Sequence, residues 1–241
     1  MNLKNIKIAK YNNHTFPNPI IEELCIKHGK IIKLSKGSVL FDEHSKDKTL
    51  SVYYLVDGVC AVSGISATGK EQIFLYQKAG DLLGHVPHLM EQNVKSHPYA
   101  YRKPTILTKT TCIFYEIPSK FFVEYLNQYP AISIMINQQL ANNYSMTLAH
   151  LKQMQEESVV SSICRFLLQV ADLKNGELIV PKLFTYSEIS KFLGSHEVTV
   201  SRVMGRLKQE KLITKISGGL LIQNAAELEN LIQNPDNFKY K

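Results

Sequence analysis

Between Phe184 and Lys215 the chain reads FTYSEISKFLGSHEVTVSRVMGRLKQEKLITK, and it carries His196, Glu197, Thr199, Ser201, Arg202 and Arg206 within eleven residues. These side chains offer the donors and acceptors that meet base edges and phosphates in a DNA major groove. Arginine presents a fork matched to guanine, and short hydroxyls reach phosphate oxygens or bases. Val200, Val203 and Leu207 recur at i, i+3 and i+7, so the polar set falls on the opposite face of one helix. Six basic residues (Lys191, Arg202, Arg206, Lys208, Lys211, Lys215) stand against two acids (Glu197, Glu210) in this stretch. That local excess favours a polyanionic partner. The alternative is a plain helical hairpin with a solvated basic face.

The elements that must position these residues are legible on either side. Upstream, Ile189, Phe192 and Leu193 mark a first short helix, Gly194 the turn, and the second helix is expected from Ser195 or His196 to about Gln209. Downstream, LITKISGGLLIQN predicts a hairpin wing turning at Gly218-Gly219. The segment SSICRFLLQVADL predicts a helix stopped by Asn175-Gly176, followed by a short ELIV strand. Residues 119–157 read as helix: Leu140, Tyr144, Thr147, Leu151 and Met154 form one stripe, and Ile134, Ala141 and Leu148 form another. Two stripes imply two packing surfaces, one for the chain's own β domain and one for a twin helix. The polar run Gln153 to Ser158 reads as a hinge. From Leu34 to Ile117 short apolar runs alternate with Asp57-Gly58, Thr68-Gly69 and Gly80-Asp81, and ILTKTTCIFYEIP reads as a strand ending at Pro118. This predicts an antiparallel barrel or sandwich, with Asp57-Gly58 as a hairpin turn.

The bulk composition agrees. The 241 residues are 44% hydrophobic and 20% charged, with a net charge of +7, so the chain can bury a real core and suits an acidic partner. No signal peptide and no apolar run near the ~20 residues of a membrane helix is evident. Cys25, Cys60, Cys112 and Cys164 form neither a CxxC pair nor a dense framework, which fits a reducing cytoplasm.

The order of β domain, long helix and winged helix-turn-helix resembles the CRP/FNR family of bacterial transcription regulators from about Lys33 onward. The residues that carry the resemblance are Tyr54-Leu55-x-x-Gly58, Gly69-Lys70-Glu71, Gly80-Asp81-x-x-Gly84, Glu116-Ile117 and Gly194 with Thr199-Val200-Ser201-Arg202. It implies an α+β fold: a β-roll of the cyclic-nucleotide-binding jelly-roll type over residues 1–118, a long dimerisation helix and hinge over 119–157, and a winged helix-turn-helix over 158–241. It also implies a homodimer on a palindromic operator, with recognition helices about 34 Å apart, and recruitment of RNA polymerase.

Carried over by residue, the family's reading positions fall on Glu197, Val198, Ser201 and Arg202, with Arg202 on the guanine-binding arginine. Thr185 matches a phosphate-contacting position, and Ser187 joins it as a candidate on the same short helix. Val198 departs from the well-known branches, which place Glu there to read a C·G pair. Valine meets a thymine methyl instead, so an A/T-rich half-site such as TTAA is expected.

The effector pocket departs as well. After Gly84, cyclic-AMP receptors supply a Glu and an Arg-Ser pair. Here His85 takes the Glu position, Arg102 falls on the Arg, and Lys103 replaces the Ser. A cyclic nucleotide needs those contacts together to offset desolvation of its phosphate, so the effector is expected to be something other than cyclic AMP. The pattern is most similar to the branch that senses halogenated aromatics, with His85 meeting a phenolate, Phe74 and Tyr76 as aromatic walls, and Thr147 and Leu148 touching the effector from the long helix. A regulator with a plugged pocket stays open as an alternative, as does a solvated loop for Arg102 and Lys103.

No cofactor is expected. Only Cys25 lies near the N-terminus, too few thiols for an iron–sulfur cluster. His85 and His88 alone make neither a haem site nor a complete metal site. Cys112 is a candidate redox switch or a buried structural thiol. Cupin-type enzyme chemistry lacks its His-x-His set, and a P-loop, nucleophile elbow or dinucleotide fingerprint is absent. A nucleoid protein would explain the charge but leave the β domain idle.

Overall fold

The computed structural model describes residues 16, 18–41, 51–65, 69–90 and 104–240. The chain divides into two compact units, Met1–Gly64 with Leu75–Ser145, and Ile65–Phe74 with Met146–Lys241.

The first unit is a β-roll faced by helices. The strands of the roll are β1 (Lys30–Leu34), β2 (Val39–Phe41), β3 (Ser51–Asp57), β4 (Val59–Ile65), β5 (Glu71–Lys78), β6 (Leu82–Leu83), β7 (Thr105–Thr108) and β8 (Cys112–Pro118), and the end of β4 at Ile65 and the first half of β5, to Phe74, cluster with the second unit. They form two sheets, ordered β1-β8-β3-β6 and β2-β7-β4-β5. Alternation along β3 sorts its side chains. Val52, Tyr54 and Val56 join a core with helices α1 (Pro19–His28), α3 (Ser119–Gln128) and the start of α4 (Pro130–Glu156), while Leu55 joins the core with Cys60, Ile106, Cys112 and Phe114. A four-residue helix, α2 (Val86–Leu89), follows β6.

The second unit contains α5 (Val159–Val170), α6 (Tyr186–Leu193), α7 (Glu197–Gln209) and α8 (Ala225–Gln233), with a sheet β11-β12-β10-β9. Strands β9 (Asp172–Lys174) and β10 (Glu177–Pro181) precede the helix pair, and the wing strands β11 (Ile213–Ile216) and β12 (Gly219–Ile222) follow it. Val200, Val203, Met204 and Leu207 of α7 are fully buried, as are Ile163, Cys164 and Leu167 of α5. Each large aliphatic so buried is worth about 1.5–3 kcal/mol.

Four local expectations fail, each for a physical reason. The helical zone from Ser119 is two helices: Tyr129 is extended (φ −122°) because it precedes Pro130, which opens α4. Asn175-Gly176 does not stop a helix. Its residues take φ +52° and +82° and turn the β9–β10 hairpin, and α5 has already ended at Val170. Asp57-Gly58 is no hairpin, since β3 and β4 lie in different sheets and the turn is a corner between them. The run ILTKTTCIFYEIP holds two strands, β7 and β8, again in different sheets. The expected hinge is also shorter, because α4 stays helical to Glu156 and Ser158 already caps α5, accepting from the Ser161 amide at 3.1 Å.

On α4 Ile132 and Ile136 are buried in the first unit's core with Met135 and Leu140 packed against it, and Gln139 bonds Leu82 through both backbone groups (3.0 and 2.8 Å). Most of both predicted stripes is exposed: Ile134 at 58%, Tyr144 at 67%, Leu148 at 47% and Leu151 at 49%.

Candidate nucleic-acid interface and effector site

The helix pair in the second unit is built by local rules. Thr185 caps α6, its hydroxyl accepting from the Glu188 amide at 3.2 Å. Gly194 ends α6 in the left-handed region (φ +64°), which lets the chain reverse into α7, with His196 at its N-cap position. One face of α7 is sealed by Val200, Val203 and Leu207. Turned outward are His196, Glu197, Val198, Ser201, Arg202 and Arg206, all exposed, with Thr199 half-buried beside them. Val198 is 63% exposed, an apolar side chain held in solvent on the same face as Arg202. The predicted reading set is therefore presented together, at the exposed face of a helix with a rigid base. Ser187 and Thr185 lie at the start of α6, where backbone amides also point outward.

Charge on this surface is partly committed. Lys191 donates to Glu71 at 2.6 Å within the second unit, and that hydrogen bond raises its pKa. Lys208 donates to the Tyr186 hydroxyl at 2.6 Å and sits 5.2 Å from its ring centre. Arg206 pairs with Glu210 at 2.8 Å, one helical turn on. A crevice of about 390 Å³, lined by Lys70, Glu71, Ser187, Lys191, Ser195 and His196, opens beside the start of α7. The Lys191–Glu71 pair spans 120 residues of sequence, and nothing in the local pattern of either residue announces it.

His150 was also missed. It is 5% exposed and stacked on Phe192 of α6, with ring centres 4.1 Å apart and planes 27° from parallel. Burial lowers its pKa, the Phe192 backbone opposing in part. A lone histidine between Ala149 and Leu151 on α4 carries no signal of this.

The predicted effector residues fall on several elements of both units. Gly84 takes φ +77°, and a Cβ there would meet the Ser51 carbonyl oxygen at 2.9 Å. His85, next in sequence, is 3% exposed, and neither ring nitrogen makes a well-formed hydrogen bond. Burial holds its pKa down at about 4, with the Leu82 backbone opposing and His88 adding to the effect. Phe74 is 38% exposed and, with Tyr76, falls on the face of β5 opposite buried Ile73 and Gln77. The expected aromatic walls thus lie on the other side of the strand from its buried side chains. Thr147 is half-buried and Leu148 exposed on the part of α4 assigned to the second unit. Arg102 and Lys103 lie outside the described residues. Among the described residues, His, Cys, Asp and Glu form no group of three able to hold a metal ion.

Comparison with known proteins accounts for both units. Residues 31–129 match the family model of the cyclic nucleotide-binding domain, and residues 161–231 match that of the Crp-like helix-turn-helix domain. The nitrogen fixation regulation protein FixK of Bradyrhizobium diazoefficiens is 26% identical over 207 residues, covering 84% of this chain and 82% of that protein. The cAMP-activated global transcriptional regulator CRP of Pasteurella multocida is 27% identical over 195 residues, 80% of this chain and 89% of that one. Among solved structures, FixK2 from Bradyrhizobium japonicum shares the fold with a TM-score of 0.67 at 16% identity, covering 84% of this chain and 96% of that chain. OCPA-complexed CprK does so with a TM-score of 0.59 at 18% identity, covering 89% and 95%.

Proposed function

Because this chain belongs to the CRP/FNR family of transcription regulators, we propose that it acts as a cytoplasmic homodimer on an A/T-rich palindrome and recruits RNA polymerase there. The observation that carries the operator reading is the outward face of α7, where exposed Val198 stands one helical turn from exposed Arg202. Arg202 donates its guanidinium fork to acceptors on the base edges of the half-site, Ser201 bonds a base or phosphate, and Val198 packs on a thymine methyl. Thr185 and Ser187 fix the register through phosphates. The homodimer is supported by Ile134, Tyr144, Leu148 and Leu151, large apolar side chains that α4 leaves exposed.

The effector is a small molecule other than cyclic AMP. His85 supports this reading, since a buried imidazole without a good hydrogen bond offers one donor and one acceptor to a phenol, phenolate or carboxylate. Arg102 and Lys103 would supply positive charge, and Phe74, Tyr76, Thr147 and Leu148 stay candidates through the resemblance alone. The effector favours the dimer arrangement in which both α7 helices enter successive major grooves.

A mobility-shift assay on the promoter beside the protein's own gene tests the reading. Titrations would include halophenols, aromatic acids and cyclic nucleotides, and half-sites substituted base by base. Ligand-dependent binding to a TTAA-like palindrome is expected. A strict need for the guanine of a TGTGA half-site, or activation by cyclic AMP alone, would overturn it.

A further inference from the structure

The smaller core of the β-roll, between its two sheets, contains two cysteines that operator reading does not use. Cys60 lies near the start of β4 in one sheet and Cys112 opens β8 in the other. Both are fully buried, and their sulfurs face each other at 3.7 Å. We propose that Cys60 and Cys112 are a reversible redox pair, closed by a peroxide into a disulfide that ties the two sheets together.

The pair lies directly beneath two corners of the roll. Gly58, half-buried and at φ +101°, turns β3 into β4, and a Cβ there would sit 2.7 Å from the Cys112 sulfur. The Gly58 turn therefore packs directly on the Cys112 sulfur, with no side chain between them. The second corner, Lys109 to Thr111, is locked to the first. The Lys109 amide donates to the Val59 carbonyl at 2.8 Å, and the Val59 amide donates to the Thr110 hydroxyl at 2.9 Å. Small oxidants need only a local opening of these turns. Closing the sulfurs from 3.7 Å to the ~2.05 Å of a disulfide asks for side-chain rotation and a small approach of the corners.

The two thiols are unequal, which gives each a role. Cys112 shares a hydrogen bond with Cys60 at 3.7 Å and one with the Thr110 hydroxyl at 3.8 Å, and donates to the Val59 and Thr110 carbonyls at 3.4 and 3.5 Å; the bond to Cys60 first among them holds its pKa below the ordinary thiol value, against burial. The same bond to Cys112, together with burial, pushes Cys60 up. Cys112, which lies against the Gly58 and Thr110 corners, is the attacking thiol and Cys60 the resolving one. The Cys112 thiolate attacks a peroxide oxygen; the S–O bond forms, the O–O bond breaks, and the leaving alkoxide or hydroxide takes up a proton. The Cys60 sulfur then attacks the Cys112 sulfenic acid, forming S–S and expelling hydroxide, which leaves as water with the Cys60 proton. The pair gives up two electrons to the peroxide, and a small thiol returns them. Cys164, pushed up to about 12 by burial, and Cys25, also raised by burial, stay thiols.

The test treats the reduced full chain with hydrogen peroxide, blocks free thiols, and maps peptides without reduction. One intramolecular Cys60–Cys112 cross-link is expected, reversed by dithiothreitol, with Cys25 and Cys164 still free. The oxidised form should also melt several degrees higher, because the bond closes a loop of 52 residues. In Cys60→Ser, Cys112 should go to sulfinic acid with no cross-link. If that variant fails to fold, mapping of the wild-type chain decides alone. A wild-type Cys112 sulfinic acid without cross-link, an intermolecular disulfide, first oxidation at Cys25 or Cys164, or a dithiol inert to peroxide each overturns the proposal.

Discussion

Burying His85 makes the stability of the roll depend on pH in a direction the structure fixes. In the unfolded chain this imidazole protonates near its ordinary 6.5, whereas in the folded roll burial holds it down at about 4. Between these values the unfolded state carries the proton and the folded state does not. Stability is therefore fully present above pH 6.5 and lost as pH falls through the window to about 4. At ~1.4 kcal/mol per pH unit, the gap is worth about 3 kcal/mol. The perturbation is His85→Leu, which keeps the side chain buried, removes the titration and removes two poorly bonded ring nitrogens. At pH 7 the variant should lie within about 1 kcal/mol of the wild type, because the loss of unsatisfied nitrogens offsets imperfect packing. At pH 4 it should be the more stable protein by about 2–3 kcal/mol. Urea unfolding followed by circular dichroism at half-unit pH steps reads this directly, and the chain has no tryptophan to complicate a parallel tyrosine-emission trace. Wild-type and variant curves that stay parallel from pH 7 to 4 would show that His85 is not held neutral by burial, and the case for an unsatisfied imidazole awaiting an effector would go with it.

Arg202→Ala and Ser201→Ala should each lose about 1–3 kcal/mol of discrimination between the operator and base-substituted versions, with a far smaller change in binding to random DNA; equal losses on both would remove these residues from base reading. Leu148→Glu places a charge among the exposed apolar side chains of α4, and sedimentation should show a shift from dimer to monomer at micromolar concentration. Gly219→Ala puts a Cβ 1.9 Å from the Val180 carbonyl oxygen, inside the β10–β12 ladder, so the winged unit should lose about 3 kcal/mol or more in thermal unfolding. Thr185→Ala removes the α6 cap, and a drop of about 1 kcal/mol in stability should accompany weaker operator binding.

What was legible in the sequence is what local physics decides. The face of α7 could be read because Val200, Val203 and Leu207 sit at helical spacing and burial follows from that spacing alone. The corners could not be read, because the residue types that turn a hairpin also turn a strand from one sheet into the next. Asp57-Gly58 and Asn175-Gly176 have similar chemistry, yet the first joins two sheets and the second closes β9 on β10. Only the pairing partners, far away in sequence, distinguish them. Cys60 and Cys112 became neighbours through the same sheet-switching, so no spacing rule could have paired them. The effector residues suffer most, since a pocket exists only through tertiary burial. Gly84 takes a left-handed turn and His85 is buried, while the alternation of β5 puts Phe74 and Tyr76 opposite its buried side chains.

The end of α4 packs on the helix that precedes α7. His150 lies flat against Phe192, and the Met154 methyl sits 2.9 Å from where a Cβ on Gly194 would be. Phe192 in turn packs on Phe166 of α5, ring centres 5.0 Å apart. Packed aromatic contacts of this kind have few alternative arrangements. A rotation or shift of α4 therefore carries α6, and with it the Gly194 turn that aims α7. Glycine at this turn serves twice: it adopts φ +64° without strain, and it leaves room for the methionine that links the two helices. Under the proposed function α4 would couple effector to operator, and these contacts would pass its movement to the turn before α7.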